Sequence, residues 1–262
     1  MPLIDPVLLK ERLAGQAGRF DVDALDSCDS TSSELLRRAA LGAPPGTVVV
    51  ADRQLAGRGR RGRSWSSSPA DSLTFSLLWR LPAGRVPGGL SLAVGVALAQ
   101  ALDALGANGV RLKWPNDVLL AGDTGFAKLA GVLVELASDR RGTQACIGIG
   151  INLAQPAGDF PQAVAGLNQA MARVPERHDM LAALLLALVD ALDRFTQAGF
   201  AALKDDWLAW HAWQDRPVQL LGEGETPLTG VCRGVDDDGA LLLETSAGLS
   251  RILAGDLSLR AA

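Results

Sequence analysis

The chain alternates between two periodicities. Apolar residues return at helical spacing over Pro6–Leu13, from the Ser30-Thr31 pair to about Leu41, and over Gly89–Leu105, Met180–Gln197 and Phe200–Trp210. Stretches of β-branched and apolar residues, several with period-two alternation, predict strands over Val22–Asp26, Thr47–Ala51, Ser72–Arg80, Val110–Lys113, Val118–Leu120, Lys128–Leu136 and Gln144–Asn152. Thr31 and Glu34 stand at capping-box spacing, with helix capping by Ser30 and Thr31 the favoured reading, and Pro44-Pro45-Gly46 closes off that helix. Pro156 to Pro175 predicts irregular structure. After Pro217 the texture changes: short strands Val218–Leu221, Leu228–Val235, Ala240–Glu244 and Ser250–Leu253 are separated by Gly and Asp turns, the pattern of a small β-barrel appended to a larger mixed domain.

Composition narrows the function classes. The chain has 262 residues, 48% hydrophobic and 21% charged, with a formal net charge of -4, enough to bury a large core. An acidic balance argues against general nucleic-acid binding, whose affinity rests on widespread phosphate neutralisation. Cys28, Cys146 and Cys232 are odd in number, far apart and without a C-x-x-C, and read as packed free thiols of a reducing cytoplasm. The N-terminus lacks a basic and apolar signal region, and no stretch of 18 apolar residues is free of charge.

Against this background the run Gly57-Arg58-Gly59-Arg60-Arg61-Gly62-Arg63-Ser64 stands out, with four arginines and no acidic residue. Glycine backbone approaches a phosphate closely, and guanidinium forks donate in pairs to its oxygens, so the run predicts a site for a nucleotide or a related ester. It satisfies G-x-G-x-x-G and comes within one Arg-for-Lys exchange of the P-loop pattern. Both need a strand leading straight into the loop and a helix leading out, whereas five residues separate the preceding strand from Gly57 and Trp65-Ser66-Ser67-Ser68-Pro69 follows. A mobile loop is the better reading; a solvated basic turn and a nucleic-acid contact stay open.

Other segments carry polar chemistry. Lys113-Trp114-Pro115-Asn116-Asp117 sets an amide and a carboxylate just past a proline at a strand end, suited to a site rim and equally to a plain β-turn. Lys128 opens an apolar strand, as an edge charge or an anion clamp. Gly148-Ile149-Gly150-Ile151-Asn152 is a strand whose alternate residues lack side chains, which suits close approach of backbone or ligand.

Taken in order, Asp29-Ser30-Thr31, Gln54 through Trp65, Lys113 through Asp117, Lys128-Leu129-Ala130-Gly131 and Gly148 through Asn152 make the sequence resemble the biotin protein ligase family, the biotin–[acetyl-CoA-carboxylase] ligases, over nearly its whole length. The resemblance implies an α+β fold: a catalytic domain related to class II aminoacyl-tRNA synthetases over residues 1–213 and an SH3-like β-barrel over 214–262. It implies that biotin and ATP, with Mg²⁺, are converted to biotinyl-5'-AMP, and that biotin then passes to a lysine of a biotin carboxyl carrier protein. Carried over by motif, Ser30, Thr31, Ser32, Gln54, Arg58, Gly59, Arg60 and Lys128 bind or enclose biotin. Arg63, Trp65, Asn116 and Asn152 are the ATP or adenylate contacts, and Lys128, Arg60 and Asp117 are the catalytic set. Asp117 is assigned either to Mg²⁺ or to the proton of the incoming amine. Ser32 departs from the pattern, since many relatives carry Asn there, and a hydroxyl replaces only part of an amide's hydrogen bonding.

Relatives that also repress transcription carry an N-terminal helix-turn-helix domain. Fewer than thirty residues precede Ser30, so the chain resembles the monofunctional form, with no sequence-specific DNA and no membrane among its expected partners. A homodimer is one assembly left open. A lipoate-type ligase of the same superfamily and an RNA-binding module remain the alternatives, although the absence of tyrosine removes one common base-stacking side chain.

Overall fold

In the computed structural model, which describes residues 2–123, 125–139, 142–222, 227–253 and 257–261, two sheets carry the fold. Strands β1 (Asp21–Cys28), β2 (Thr47–Gln54), β3 (Ser72–Pro82), β4 (Val110–Lys113), β5 (Asp117–Gly122), β6 (Gly125–Asp139) and β7 (Gly142–Asn152) form a seven-stranded sheet ordered β1-β2-β3-β7-β6-β5-β4. Strands β1 and β2 are parallel, joined by helix α2 (Thr31–Ala40), and every other neighbouring pair is antiparallel. Each strand expected in this region is present, several with longer ends.

Period-two alternation sorts residues onto two unlike faces. Val48 and Val50 of β2, Phe75 and Leu77 of β3, and Ile147, Ile149 and Ile151 of β7 face the main core, beneath α1 (Pro6–Leu13), α3 (Leu90–Ala104) and α4 (Arg177–Ala198). Helix α3 is buried nearly all round, which accounts for its run of small and apolar residues without a polar stripe. On the opposite face, α2 covers only a small cluster of Leu35, Val49, Leu78 and Cys146. Apart from Leu133, the central part of that face is polar or bare, with Ser76, Gly148, Gly150 and Asn152, and this is where the cleft lies.

The expected barrel is a five-stranded antiparallel sheet ordered β11-β10-β9-β8-β12, from β8 (Pro217–Gly222), β9 (Leu228–Val235), β10 (Leu241–Thr245), β11 (Gly248–Ile252) and β12 (Leu257–Ala261). Four of its strands match the sequence reading; residues 223–226 and 254–256, at two of the expected Gly and Asp turns, lie outside the described residues. Strand β12 was not anticipated. It offers two leucines beside the terminus, and only pairing with β8 and burial of Leu259 make it a strand. The Phe200–Trp210 helix divides into a 3-10 turn at Phe200–Leu203 and α5 (Lys204–Trp210).

The capping reading of α2 needs correction. Ser30 occupies the N-cap position but makes no side-chain capping bond, and Glu34 pairs with Arg37 and Arg38 instead of reaching back. The Thr31 hydroxyl turns sideways to Gln54 and Ser76. Tertiary polar partners outcompeted the local box.

Candidate functional site

Residues of the five motifs meet in one cleft of about 1040 Å³, part of it open to solvent. It lies over β3, β7 and β6, between the start of α2, the arginine loop and the 156–164 segment. All thirteen residues singled out from the sequence line it: Ser30, Thr31, Ser32, Gln54, Arg58, Gly59, Arg60, Arg63, Trp65, Asn116, Asp117, Lys128 and Asn152.

A bulge aims Lys128. The β5–β6 register slips between Val118 and Leu119, so that Leu119 pairs with Lys128 and Val118 with Ala130, leaving Leu129 as the extra residue. Leu129 and Ala130 both enter the core, and Lys128 and Gly131 both line the cleft. The Lys128 backbone is pinned from outside the sheet, its N–H donating to Ala163 O at 2.8 Å and its carbonyl accepting from Ala165 N at 2.9 Å. Its ammonium sits 2.6 Å from Asp117 Oδ1 and 5.7 Å from the Trp65 ring centroid.

The other oxygen of Asp117 lies 2.9 Å from Lys113 Nζ, so one buried carboxylate bridges two ammonium groups and leaves one net positive charge. Burial pushes the Asp117 carboxyl up, but the charges of Lys128 and Lys113 outweigh it and hold it at about 2. Burial lowers Lys113 despite the same pairing. Each Asp117 oxygen faces a lysine ammonium and the carboxyl is held low, which makes it a weak proton acceptor, and no group of three or more His, Cys, Asp or Glu suited to a metal occurs among the described residues.

The arginine loop is a closed hairpin. Arg58 bridges to Ser64, Gly59 N–H donates to Arg63 O at 2.7 Å and Trp65 N–H to Gly57 O at 2.8 Å, around a 3-10 turn at Arg60–Gly62. No helix opens behind it, in keeping with rejection of the P-loop reading. Arg58 pairs with Glu135 at 2.6 Å, and Arg60 donates to Asn116 Oδ1 at 3.2 Å. Asn116 in turn donates to Val132 O at 2.6 Å, and Asn152 to Ala165 O at 3.1 Å. At the other end Arg37 holds Asp29 at about 2, through paired hydrogen bonds of 3.0 Å, and Asp29 accepts from Ser30 N–H at 2.7 Å.

The glycines of β7 acquire a reason. A Cβ on Gly150 would lie 2.3 Å from the Trp65 indole, and one on Gly148 2.4 Å from Ser32 Oγ. Close approach comes from the protein's own side chains, which make two walls of the cleft. Trp65 Nε1 is buried there without a hydrogen-bond partner among the described residues. Sequence reasoning missed Lys113 as a partner of Asp117 and missed the wall of Pro156, Phe160, Pro161, Gln162 and Val164. An aromatic residue in a Pro-rich irregular stretch was the one available signal.

What the arrangement does chemically follows from its charges: a cation on a rigid strand and a guanidinium from a loop converge on a space with polar groups at one end and an indole at the other. Residues 25–152 match the model described as the biotin/lipoate A/B protein ligase family, and residues 215–260 that of the biotin protein ligase C-terminal domain. The chain is 38% identical to the bifunctional ligase/repressor of Salmonella typhimurium, over 99% of this chain and 81% of that protein. It is 36% identical to the biotin–[acetyl-CoA-carboxylase] ligase of Paracoccus denitrificans, over 87% of this chain and 96% of that one. The biotin protein ligase from Aquifex aeolicus, solved in complex with biotin and ATP, is similar with a TM-score of 0.76 at 30% identity, covering 92% of this chain and 99% of its own.

Proposed function

The chain belongs to the biotin protein ligase family, and on that premise we propose that it activates biotin with ATP to biotinyl-5'-AMP and transfers the biotinyl group to a lysine of a biotin carboxyl carrier protein. The observation that carries this reading is the convergence of Lys128, Arg60 and the helix-start hydroxyls on one cleft. It is built for a carboxylate with a polar head and an acyl phosphate beside it.

In the first step a biotin carboxylate oxygen attacks the α-phosphorus of ATP, the bond to the β-phosphate bridging oxygen breaks, and pyrophosphate leaves. In the second, the carrier amine attacks the acyl carbon, loses a proton and expels AMP. Neither step requires an enzyme nucleophile, so the rate arises from positioning and from charge placed in advance. Lys128 and Arg60 stabilise the negative charge shared by carboxylate and phosphate. Asp117, with Lys113 behind it, holds the Lys128 ammonium in place. Trp65, Arg63, Asn116 and Asn152 form the nucleotide end, and Ser30, Thr31, Ser32, Gln54, Arg58 and Gly59 the biotin end. Mg²⁺ enters this proposal only as the counter-ion of the ATP phosphates. The carrier would be the acetyl-CoA carboxylase subunit that the Paracoccus relative's name indicates. No helix among the described residues is long and apolar enough to cross a membrane, and we place the reaction in the cytoplasm, where three free thiols persist.

The deciding experiment is exchange of labelled pyrophosphate into ATP with the purified protein. Exchange that requires biotin and does not respond to lipoate is expected. Lipoate-driven exchange would make it a lipoate-type ligase, and no exchange with either acid would overturn the reading.

A further inference from the structure

The polar floor of the cleft has a direction, and a single backbone group sets it. Thr31 N–H lies 2.8 Å from one side-chain amide atom of Gln54 and can only donate, so that atom is Oε1. The Thr31 hydroxyl, 3.2 Å from the same oxygen, gives its proton to it. A hydroxyl carries one proton, so the 2.8 Å contact between Ser76 and Thr31 runs from Ser76 to Thr31. With the Ser76 proton committed, the 3.1 Å contact between Ser32 and Ser76 runs from Ser32. Ser76 is fully buried on β3 and does not line the cleft, and the bare Cα of Gly148 leaves the space in which Ser32 Oγ sits. The relay leaves Ser32 and Thr31 facing the cleft with lone pairs alone, while the Nε2 of Gln54 keeps its donors.

Resting on the reading that the cleft takes biotin, we propose that Ser76 is a specificity-determining positioning residue: it fixes Ser32 and Thr31 as acceptors, so the floor takes a ring N–H of the ureido group and disfavours acids whose ring offers none, such as a dithiolane. Ser32 suits this role without an amide, because the relay removes its one proton from the cleft and leaves two lone pairs. Without Ser76 the Ser32 proton is free to turn inward and oppose a ligand N–H.

The test is Ser76→Ala in biotin-dependent pyrophosphate exchange, with biotin and with two cyclic carbamates, each replacing one ureido N–H by a ring oxygen. Loss of one well-made neutral hydrogen bond should raise the KM for biotin about tenfold and leave kcat within about twofold. Toward the carbamate that lacks the N–H facing Ser32, the same substitution should change KM by less than about twofold, because that bond is already gone. If KM rises equally for all three compounds, or kcat falls while KM stays, Ser76 serves packing alone and the inference is wrong. Should Ser76→Ala not fold, Ser76→Cys replaces it, since a thiol keeps the shape with a weak donor, and the same analogue dependence is expected. Wild-type protein inactive with biotin would remove the proposed function itself, whereas active wild type with an analogue-blind variant removes only this inference.

Discussion

Lys128 owes its direction to one residue too many in its strand. If Leu129 were paired like its neighbours and the bulge were lost, strict alternation would send Lys128 to the face opposite Gly131, into the core. Asp117 then holds the ammonium at 2.6 Å, and Lys113 keeps the carboxylate paired if Lys128 is lost. Lys128→Ala should therefore stay folded while biotin-dependent exchange falls on the order of a hundredfold, the usual loss for a charge placed against the transition state. Near-normal exchange would take Lys128 out of the mechanism. Gly150 acts through contact alone: Gly150→Ala must displace the Trp65 indole, and a raised KM for ATP at unchanged melting temperature is expected. An unchanged KM would show that Trp65 does not touch the nucleotide.

The arginine hairpin shows what an element adds. Four like charges repel, and fixing three glycines costs roughly 1 to 2 kcal/mol each, so the closed form needs partners. Its partners include Glu135 for Arg58, a partly exposed and weak pair, and Asn116 for Arg60. An anion among the guanidiniums would relieve their mutual repulsion, and closure would shield the mixed anhydride from water. Trypsin should cut the free protein between Arg58 and Arg63, and biotin with ATP should slow that cut strongly. Equal cleavage with and without ligands would argue against ligand-driven closure.

At the scale of the molecule, the two sheets share one core. Val218, Leu241, Leu243 and Leu259 of the barrel belong to the same cluster as the large sheet, and Trp114 Nε1–H donates to Gly239 O at 3.1 Å. Arg260 of β12 donates to Gln162 at 2.6 Å in the cleft wall. Arg260→Ala is expected to raise the KM for ATP and leave biotin affinity unchanged by calorimetry, and equal KM values would deny the barrel this route to the site. His211 sits where α5 leads into the barrel, buried and stacked on Trp207 with ring centroids 4.4 Å apart. Burial pushes it down to about 4, partly offset by the Gln214 amide. The unfolded chain thus binds a proton below about pH 6.5 that the folded one refuses until about 4, so stability falls as pH drops through that window, by up to about 3 kcal/mol. His211→Phe should flatten the fall between pH 6.5 and 4 in urea titrations; an unchanged slope would place the acid sensitivity elsewhere.

The sequence by itself determined the strands of the large sheet, the main helices, four of the barrel strands and thirteen of the residues lining the cleft. Those features rest on local periodicity and on side-chain types that have little other use together, such as four arginines among three glycines. What only the tertiary structure decided depends on residues far apart in the chain. Thr31 hydrogen-bonds to Gln54 and Ser76 although its spacing suits a cap, because folding brings stronger partners to it. Asp117 looked available until Lys113 and Lys128 occupied both its oxygens, and pairing of that kind has no periodicity to read. Strand β12 exists because β8 offers an unpaired edge, and the Phe160 wall because Lys128 holds the backbone of residues 163–165 against the sheet. Local pattern specifies which face of an element is apolar; which polar groups then meet across the cleft is settled by packing, where each buried donor and acceptor takes the partner that geometry leaves it.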